Sequence, residues 1–205
     1  MEKKKILLIG HDAAPSRCFT RLKGFLESAD YAVECIVGGG KPILISNDEI
    51  TRCVVSSHAV LIGMSSSEVY SEKEILAAQV AGNAGIPFGF YADVPGCHSR
   101  AANGRWFEPF ALAASFYFAM DETDAFHASN VFRNARMYIT GNPLRDEAAF
   151  PKYDKAHIRE KLSIPSDAKV ILVAAGKFTA TNMATLVCVI DGACMLDGGT
   201  NQYHV

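Results

Sequence analysis

Neither sign of charge is in large excess: the 205-residue sequence contains 20 lysines and arginines and 22 aspartates and glutamates. No long basic stripe is present, so we expect no nucleic-acid partner. The six cysteines form no Cys-x-x-Cys pair and lie at no zinc-site spacing from histidines. The sequence therefore predicts no metal site.

Long apolar runs are also lacking. Only four apolar residues, at positions 6–9, follow the lysines at the amino terminus, whereas a signal-peptide core needs roughly 7–15. No segment reaches the roughly 18 consecutive apolar residues of a membrane-spanning helix. We therefore expect a cytoplasmic protein with reduced thiols.

Two nucleotide-binding fingerprints are missing as well. Residues 10–16 lack the glycines of a Gly-x-Gly-x-x-Gly turn, which argues against NAD or FAD. Residues 176–178 read Gly-Lys-Phe and fail the Walker A pattern. The sequence therefore predicts no bound cofactor.

What the sequence does contain is a repeated pairing of a short apolar run with a helical pattern. Alternation of this kind predicts an α/β fold, a Rossmann-like, doubly wound and mostly parallel sheet formed by residues 1–141. The predicted strands are residues 6–10, 31–37, 59–63, 87–91, 115–120 and 136–140.

Helix starts are indicated by a few local signals. Pro15 fits a first helical turn, Ser71 and Glu74 have the form of a capping box, and Thr123 is suited to cap a short helix. Residues 42–45 are compatible with a short strand, and residues 49–55 with a short helix.

The pattern changes after Gly141. Residues 142–167 are predicted to be a polar linker with a helix capped by Asp154, and residues 168–205 to begin a second, truncated Rossmann-like domain. No charged residue occurs from Phe178 to Ile190. We therefore expect residues 168–205 to be mobile, to dock on the first domain or to drive self-association.

Polar residues follow four of the apolar runs. In an open parallel sheet these positions converge at the carboxyl edge, where ligands bind. The clusters are residues 11–17, 65–67, 93–100 and 176–179. His11 beside Asp12 fits a general base with a carboxylate partner, although sequence context favours a helix-capping turn in which His11 only fills space.

The loop from Asp93 to Arg100 fits a ligand-binding loop or a plain surface loop. Cys97 has no evident activating base, because neighbouring side chains diverge. The aromatic run at residues 105–112 fits peripheral membrane contact or ligand stacking, although packing in the core is favoured.

One stretch carries a family resemblance. Residues 137–147 read Met-Tyr-Ile-Thr-Gly-Asn-Pro-Leu-Arg-Asp-Glu, and a helix ending in Leu-Ser-Ile-Pro and an apolar strand at 170–176 follow. This succession resembles the interdomain stretch of GT-B glycosyltransferases, a superfamily that includes nucleotide-sugar 2-epimerases.

The resemblance implies a cleft between two domains, with the nucleotide-reading part of the donor domain lying beyond residue 205. It implies that His11 and Asp12 lie in a loop facing this cleft, where we expect them to be catalytic. It also implies two sets of binding residues, namely Ser16, Asp93, His98 and Arg100 for the acceptor and Gly176, Lys177 and Thr179 for the donor diphosphate.

The first functional hypothesis is therefore a GT-B glycosyltransferase fragment. It would transfer a sugar from a nucleotide diphosphate sugar to the hydroxyl of a small or lipid-linked acceptor, with His11 or Asp12 activating that hydroxyl. The alternatives are a nucleotide-sugar 2-epimerase with acid–base groups from the Asp93 loop, and a non-catalytic α/β ligand-binding module.

Overall fold

The computed structural model describes residues 3–100, 104–145, 154–170 and 183–189. The chain divides into two compact units, Met1–Pro151 and Lys152–Val205. The predicted boundaries at residues 141 and 167 stay predictions.

The first unit is built on a six-stranded sheet in which all the described strands are parallel, in the order β2-β1-β3-β4-β5-β6. The sheet extends from β1 to β2 in one direction and from β1 through β3 to β6 in the other. The prediction of a doubly wound, Rossmann-like sheet is therefore confirmed. The strands are β1 (Lys5–Gly10), β2 (Ala32–Val37), β3 (Ala59–Gly63), β4 (Phe88–Tyr91), β5 (Phe116–Ala119) and β6 (Arg136–Ile139).

Helices follow the strands along the chain. They are α1 (Ala13–Ser28), α2 (Asn47–Val55), α3 (Glu72–Ala84), α4 (Glu108–Ala111), α5 (Glu122–Ala128) and, in the second unit, α6 (Lys155–Lys161). Short 3₁₀ turns occur at Val69–Ser71 and Cys97–Ser99. Helix α3 ends at Gly85, whose φ of 66° lies in the left-handed region that glycine tolerates best.

Both faces of the sheet are covered, which explains why the strands read as continuous apolar runs. Leu8 packs with Phe19 of α1 on one face, while Leu7 and Ile9 belong to the core on the other face. Trp106 and Phe107 are also buried in that second core. These two members of the aromatic run therefore pack inside the protein, as the favoured interpretation expected.

Three local predictions were wrong. Residues 42–45 form no strand, and α2 begins at Asn47 with Ser46 as its cap. Asp121, not Thr123, caps α5, because its carboxylate accepts the Asp124 amide hydrogen at 2.7 Å. Ser71 makes no side-chain cap to α3; its hydroxyl donates to the Ser67 carbonyl instead.

In the second unit, Asp154 caps α6 as predicted, by accepting a hydrogen bond from the His157 amide. Residues 183–189 are helical, with Met183 and Val187 about half exposed. The predicted strand at 170–176 falls almost wholly outside the described residues. Within the described ranges, no helix is long and apolar enough to cross a membrane.

Candidate active site at the carboxyl edge of the sheet

Three predicted polar clusters lie at one edge of the sheet. His11 follows β1, Ser65 lies just beyond β3, and Asp93 lies just beyond β4. All these strands are parallel, so each cluster is at a carboxyl end. Strand order reverses between β1 and β3, and this is where open α/β sheets form a ligand crevice.

The loops after β1 and β3 are joined through Asp12. Its backbone amide donates to the Ser65 hydroxyl at 3.3 Å, and its carboxylate accepts from the Ser66 amide at 2.8 Å. Although Asp12 stands at the amino end of α1, its side chain does not cap that helix. The carboxylate instead holds the two loops together.

Asp12 also contacts His11, whose Nδ1 lies 3.2 Å from the carboxylate. Burial by itself raises the pKa of Asp12, but hydrogen bonds from Ser66 and contact with His11 outweigh it and leave that pKa below its ordinary value. The His11 ring is buried and stacks on Tyr70, with ring centres 5.0 Å apart. The pair is an ionised carboxylate beside an oriented imidazole.

Behind this pair lies Glu74, a residue that sequence reasoning placed in a helix cap. Its side chain is fully buried; Oε1 accepts the His11 amide hydrogen at 3.3 Å, and Oε2 has no partner. Burial raises the pKa of Glu74 to about 8, so its carboxyl is mostly protonated at neutral pH.

Glycine at position 63 makes room for that carboxyl. A Cβ added to Gly63 would stand 2.9 Å from Glu74 Oε1 and 3.1 Å from the Pro15 side chain. The pattern Ser-x-x-Glu is typical of a capping box, but here its glutamate is a buried acid. The pairing with Gly63 is a tertiary contact that no local sequence signal reveals.

Asp93 sits in the loop after β4, mostly buried, and its carboxylate lies 3.4 Å from Arg100 Nη2. The Cys97 thiol lies 3.2 Å from the same carboxylate. Burial, assisted by Asp93, raises the pKa of Cys97 to about 12. Cys97 is therefore a thiol donor and not an activated nucleophile.

The Gly-Asn-Pro stretch is tied to this edge by Asn142. Its side-chain amide donates to the Asp93 carbonyl at 3.0 Å, and its oxygen faces the Cys18 thiol at 3.3 Å and accepts from the Leu144 amide. The residue that carried the family resemblance thus links the loop after β4 to α1.

Ser16 is buried, and its hydroxyl is engaged with the backbone: it donates to the Gly10 carbonyl and accepts from the Gly39 amide. Ser16 also borders an open cleft with Arg17 and Thr20. The structure gives it a role in holding the glycine loop after β2.

His98 takes no part in the contact between Asp93 and Arg100. It borders a different cleft together with Asp124 and His127 of α5. Gly176, Lys177 and Thr179 lie outside the described residues. Among the residues that the structure describes, no group of three or more His, Cys, Asp or Glu side chains could hold a metal ion.

The fold is a Rossmann-like α/β domain, and two solved structures resemble it. A UDP-N-acetylglucosamine 2-epimerase matches with TM-score 0.50 and 12% identity over 78% of this chain and 55% of that chain. A Listeria monocytogenes protein assigned as a UDP-N-acetylglucosamine 2-epimerase matches with TM-score 0.53 and 13% identity, covering 80% and 52%.

The chain thus spans about half the length of each of these structures. At such low identity the likeness concerns the fold alone. No protein-family model matches the chain, and the search of curated proteins finds no match.

Proposed function

We propose that this chain supplies the first-domain half of the active site of an enzyme acting on a nucleoside diphosphate sugar. The observation that carries the proposal is the joined cluster of His11, Asp12 and Glu74 at the strand-order reversal. The Asp12 carboxylate lies against the His11 imidazole, and the buried Glu74 carboxyl accepts the His11 backbone amide hydrogen, an arrangement that orients His11 for proton transfer.

Epimerisation at carbon 2 is the reaction we favour. At carbon 2 a base removes the proton, the C–H electron pair forms a C1–C2 double bond as the nucleoside diphosphate leaves carbon 1, and an acid returns a proton to the other face of carbon 2 as the diphosphate adds back. Acid–base groups on more than one loop suit these two proton transfers. The carboxyl edge offers His11 with Asp12 after β1, and Asp93 after β4. The two similar solved structures carry the name of such an epimerase, which supports this choice.

Glycosyl transfer is the second candidate. It needs one base for the acceptor hydroxyl, and the His11–Asp12 contact at 3.2 Å can serve as that base and its orienting carboxylate. In this reaction the site binds a separate acceptor, whereas in epimerisation the nucleotide sugar is the only substrate.

Product analysis separates the two reactions. The 205-residue chain and the product of its entire open reading frame are incubated with UDP-N-acetylglucosamine, and the products are identified by NMR. The 2-epimer without an added acceptor supports epimerisation, whereas turnover only with an acceptor supports transfer. Absence of both turnover and UDP-N-acetylglucosamine binding in both proteins contradicts the proposal.

A matched pair of variants tests the site. Asp12→Asn is expected to lower turnover by about 100-fold or more, as loss of an acid–base partner typically does. Asp48→Asn, an exposed position in the first turn of α2, is expected to leave turnover unchanged. Equal turnover in the two variants would remove Asp12 from the mechanism.

A further inference from the structure

A second polar cleft, with a volume of about 430 Å³, lies between the loop after β4 and the amino-terminal turn of α5. A space of this size suits a small polar ligand or one portion of a larger one. Its lining combines imidazoles, carboxyls and hydroxyls, from His98, Ser99, Asp121, Thr123, Asp124 and His127.

Asp124 is held in place in this cleft by hydrogen bonds. Its side chain is fully buried, Oδ1 accepts the Gly96 amide hydrogen at 2.9 Å, and Oδ2 accepts the Met120 amide hydrogen at 3.1 Å. Two backbone donors from two different loops hold this carboxyl in place. They also prevent it from turning away from the cleft.

The imidazole beside it is His98, whose side chain is 8% exposed. Nδ1 of His98 lies 3.2 Å from Asp124 Oδ1, within ion-pair distance, yet the contact lacks the alignment of a formed hydrogen bond. A buried ring nitrogen therefore stands next to a buried carboxylate without an aligned partner. A small rotation of the ring would complete the bond.

The groups around His98 set its charge. Burial lowers the pKa of His98, Asp124 opposes that effect, and His127 and Arg105 act in the same direction as burial. The ring centres of Tyr117 and His127 each lie 6.5 Å from the ring centre of His98. His98 is thus a mainly neutral imidazole at neutral pH, the form that accepts protons.

A histidine that merely fills the core would account for the burial. It does not require a carboxylate 3.2 Å from Nδ1, nor a second imidazole, His127, on the same cleft. A carboxylate at Nδ1 is the arrangement that orients an imidazole for proton transfer at its other nitrogen, Nε2.

We propose that His98 is a proton-transfer residue of this cleft, held by Asp124 as a positioning residue, and that it acts through Nε2 on a sugar hydroxyl of a nucleotide-sugar ligand. This inference rests on the proposed function and adds a second acid–base group to it. The O–H bond of the hydroxyl breaks, its electron pair stays on oxygen, and an N–H bond forms at Nε2. The imidazolium then lies against the Asp124 carboxylate and gives its proton back to the ligand or to water.

Nitrogen NMR of the ¹⁵N-histidine-labelled 205-residue chain tests the geometry, with UDP-N-acetylglucosamine as the probe. We expect His98 to carry its proton on Nδ1, and the probe to shift Nε2 of His98 and the His127 ring. His58, which precedes β3 at the opposite edge of the sheet, should not shift.

Each other outcome has a distinct meaning. A proton on Nε2 of His98 overturns the inference. Shifts confined to His11 overturn the inference but leave the proposed function standing. No shift in any histidine, together with no binding of the probe, overturns both.

Kinetics of the product of the entire reading frame give the second test. His98→Gln, which keeps Asp124 and its backbone partners in place, should lower kcat by about 100-fold or more with little change in KM. His58→Gln is the matched control and should keep full activity. An unchanged kcat in His98→Gln overturns the inference.

The pH dependence of kcat/KM tests whether Asp124 positions His98. Because protonated His98 cannot act as a base, kcat/KM should fall toward acid pH, and Asp124→Asn should move that fall to lower pH. A fall at the same pH in both proteins would reduce Asp124 to a structural role and overturn its part of the proposal.

Discussion

Glu74 and Asp124 are two fully buried carboxyls at the same edge of one sheet, and their surroundings differ. Glu74 accepts one backbone amide hydrogen, at 3.3 Å, and leaves Oε2 without a partner. Asp124 accepts two, at 2.9 and 3.1 Å, and has an imidazole 3.2 Å away. Equal burial therefore does not produce equal chemistry.

The two carboxyls differ in what surrounds them. Burial is the largest influence on the pKa of Glu74 and keeps it mostly protonated near neutral pH, although hydrogen bonds from Ser65, Ser71 and the His11 amide act in the opposite direction. Asp124 is fixed by two amide donors and is suited to orient His98. Glu74 follows β3 and Asp124 follows β5, so the two carboxyls lie two strands apart along one edge of the sheet.

The largest effect is expected from Glu74→Gln. The unfolded carboxyl ionises near pH 4.5 and the folded one near 8, so the free energy of unfolding of the wild type should fall as pH rises between these values. The fall is on the order of 4 kcal/mol. Urea unfolding at pH 5, 6.5 and 8 should show this fall in the wild type and a much flatter profile in Glu74→Gln. Parallel profiles would contradict the protonated state.

Asp124→Ala tests the other buried carboxyl. Its removal leaves the amides of Gly96 and Met120 buried without acceptors, a loss of about 2–4 kcal/mol. Glu122→Ala, exposed on the same helix, is the control. A loss equal to that of the control, measured by urea unfolding at pH 7, would show that Asp124 does not hold the two loops.

Asp12→Asn extends the comparison to a half-buried carboxylate. The lowered pKa of Asp12 means that its stabilisation is present above about pH 3.8 and is lost as pH falls through the folded value. We expect a loss of about 1–2 kcal/mol at pH 7, shrinking toward zero at pH 2–3. A loss that is the same at both pH values would argue for a purely steric effect.

The smallest effect concerns the cap of α5. Asp121→Ala should cost about 1 kcal/mol, because the carboxylate accepts the Asp124 amide hydrogen. Thr123→Val, an exposed position in the same turn, should be nearly neutral. If the two results were reversed, Thr123 would be the cap that the sequence first indicated.

Prediction from sequence succeeded where a signal is local and repeated. The buried strands are apolar on both faces, as Leu7, Leu8 and Ile9 of β1 show, so their positions and the parallel sheet followed directly. The shared edge of His11 and Asp93 followed from that topology.

Prediction from sequence failed where one local sequence pattern fits two different local structures. Ser71 and Glu74 fit a capping box, yet Glu74 turns inward to the space left by Gly63. Asp124 looked like any helix-surface acid, and its partners, Gly96 and Met120, come from separate loops. Contacts of this kind arise only when distant parts of the chain are folded together.

The central claim is that the carboxyl edge of the sheet binds a nucleoside diphosphate sugar. A crystal structure of the chain soaked with UDP-N-acetylglucosamine tests it most directly. The account predicts ligand density beyond the ends of β1, β3 and β4, in contact with Asp12 or with His98. Density at the amino edge, or a carboxyl edge still empty at ligand concentrations that saturate binding in solution, would contradict it.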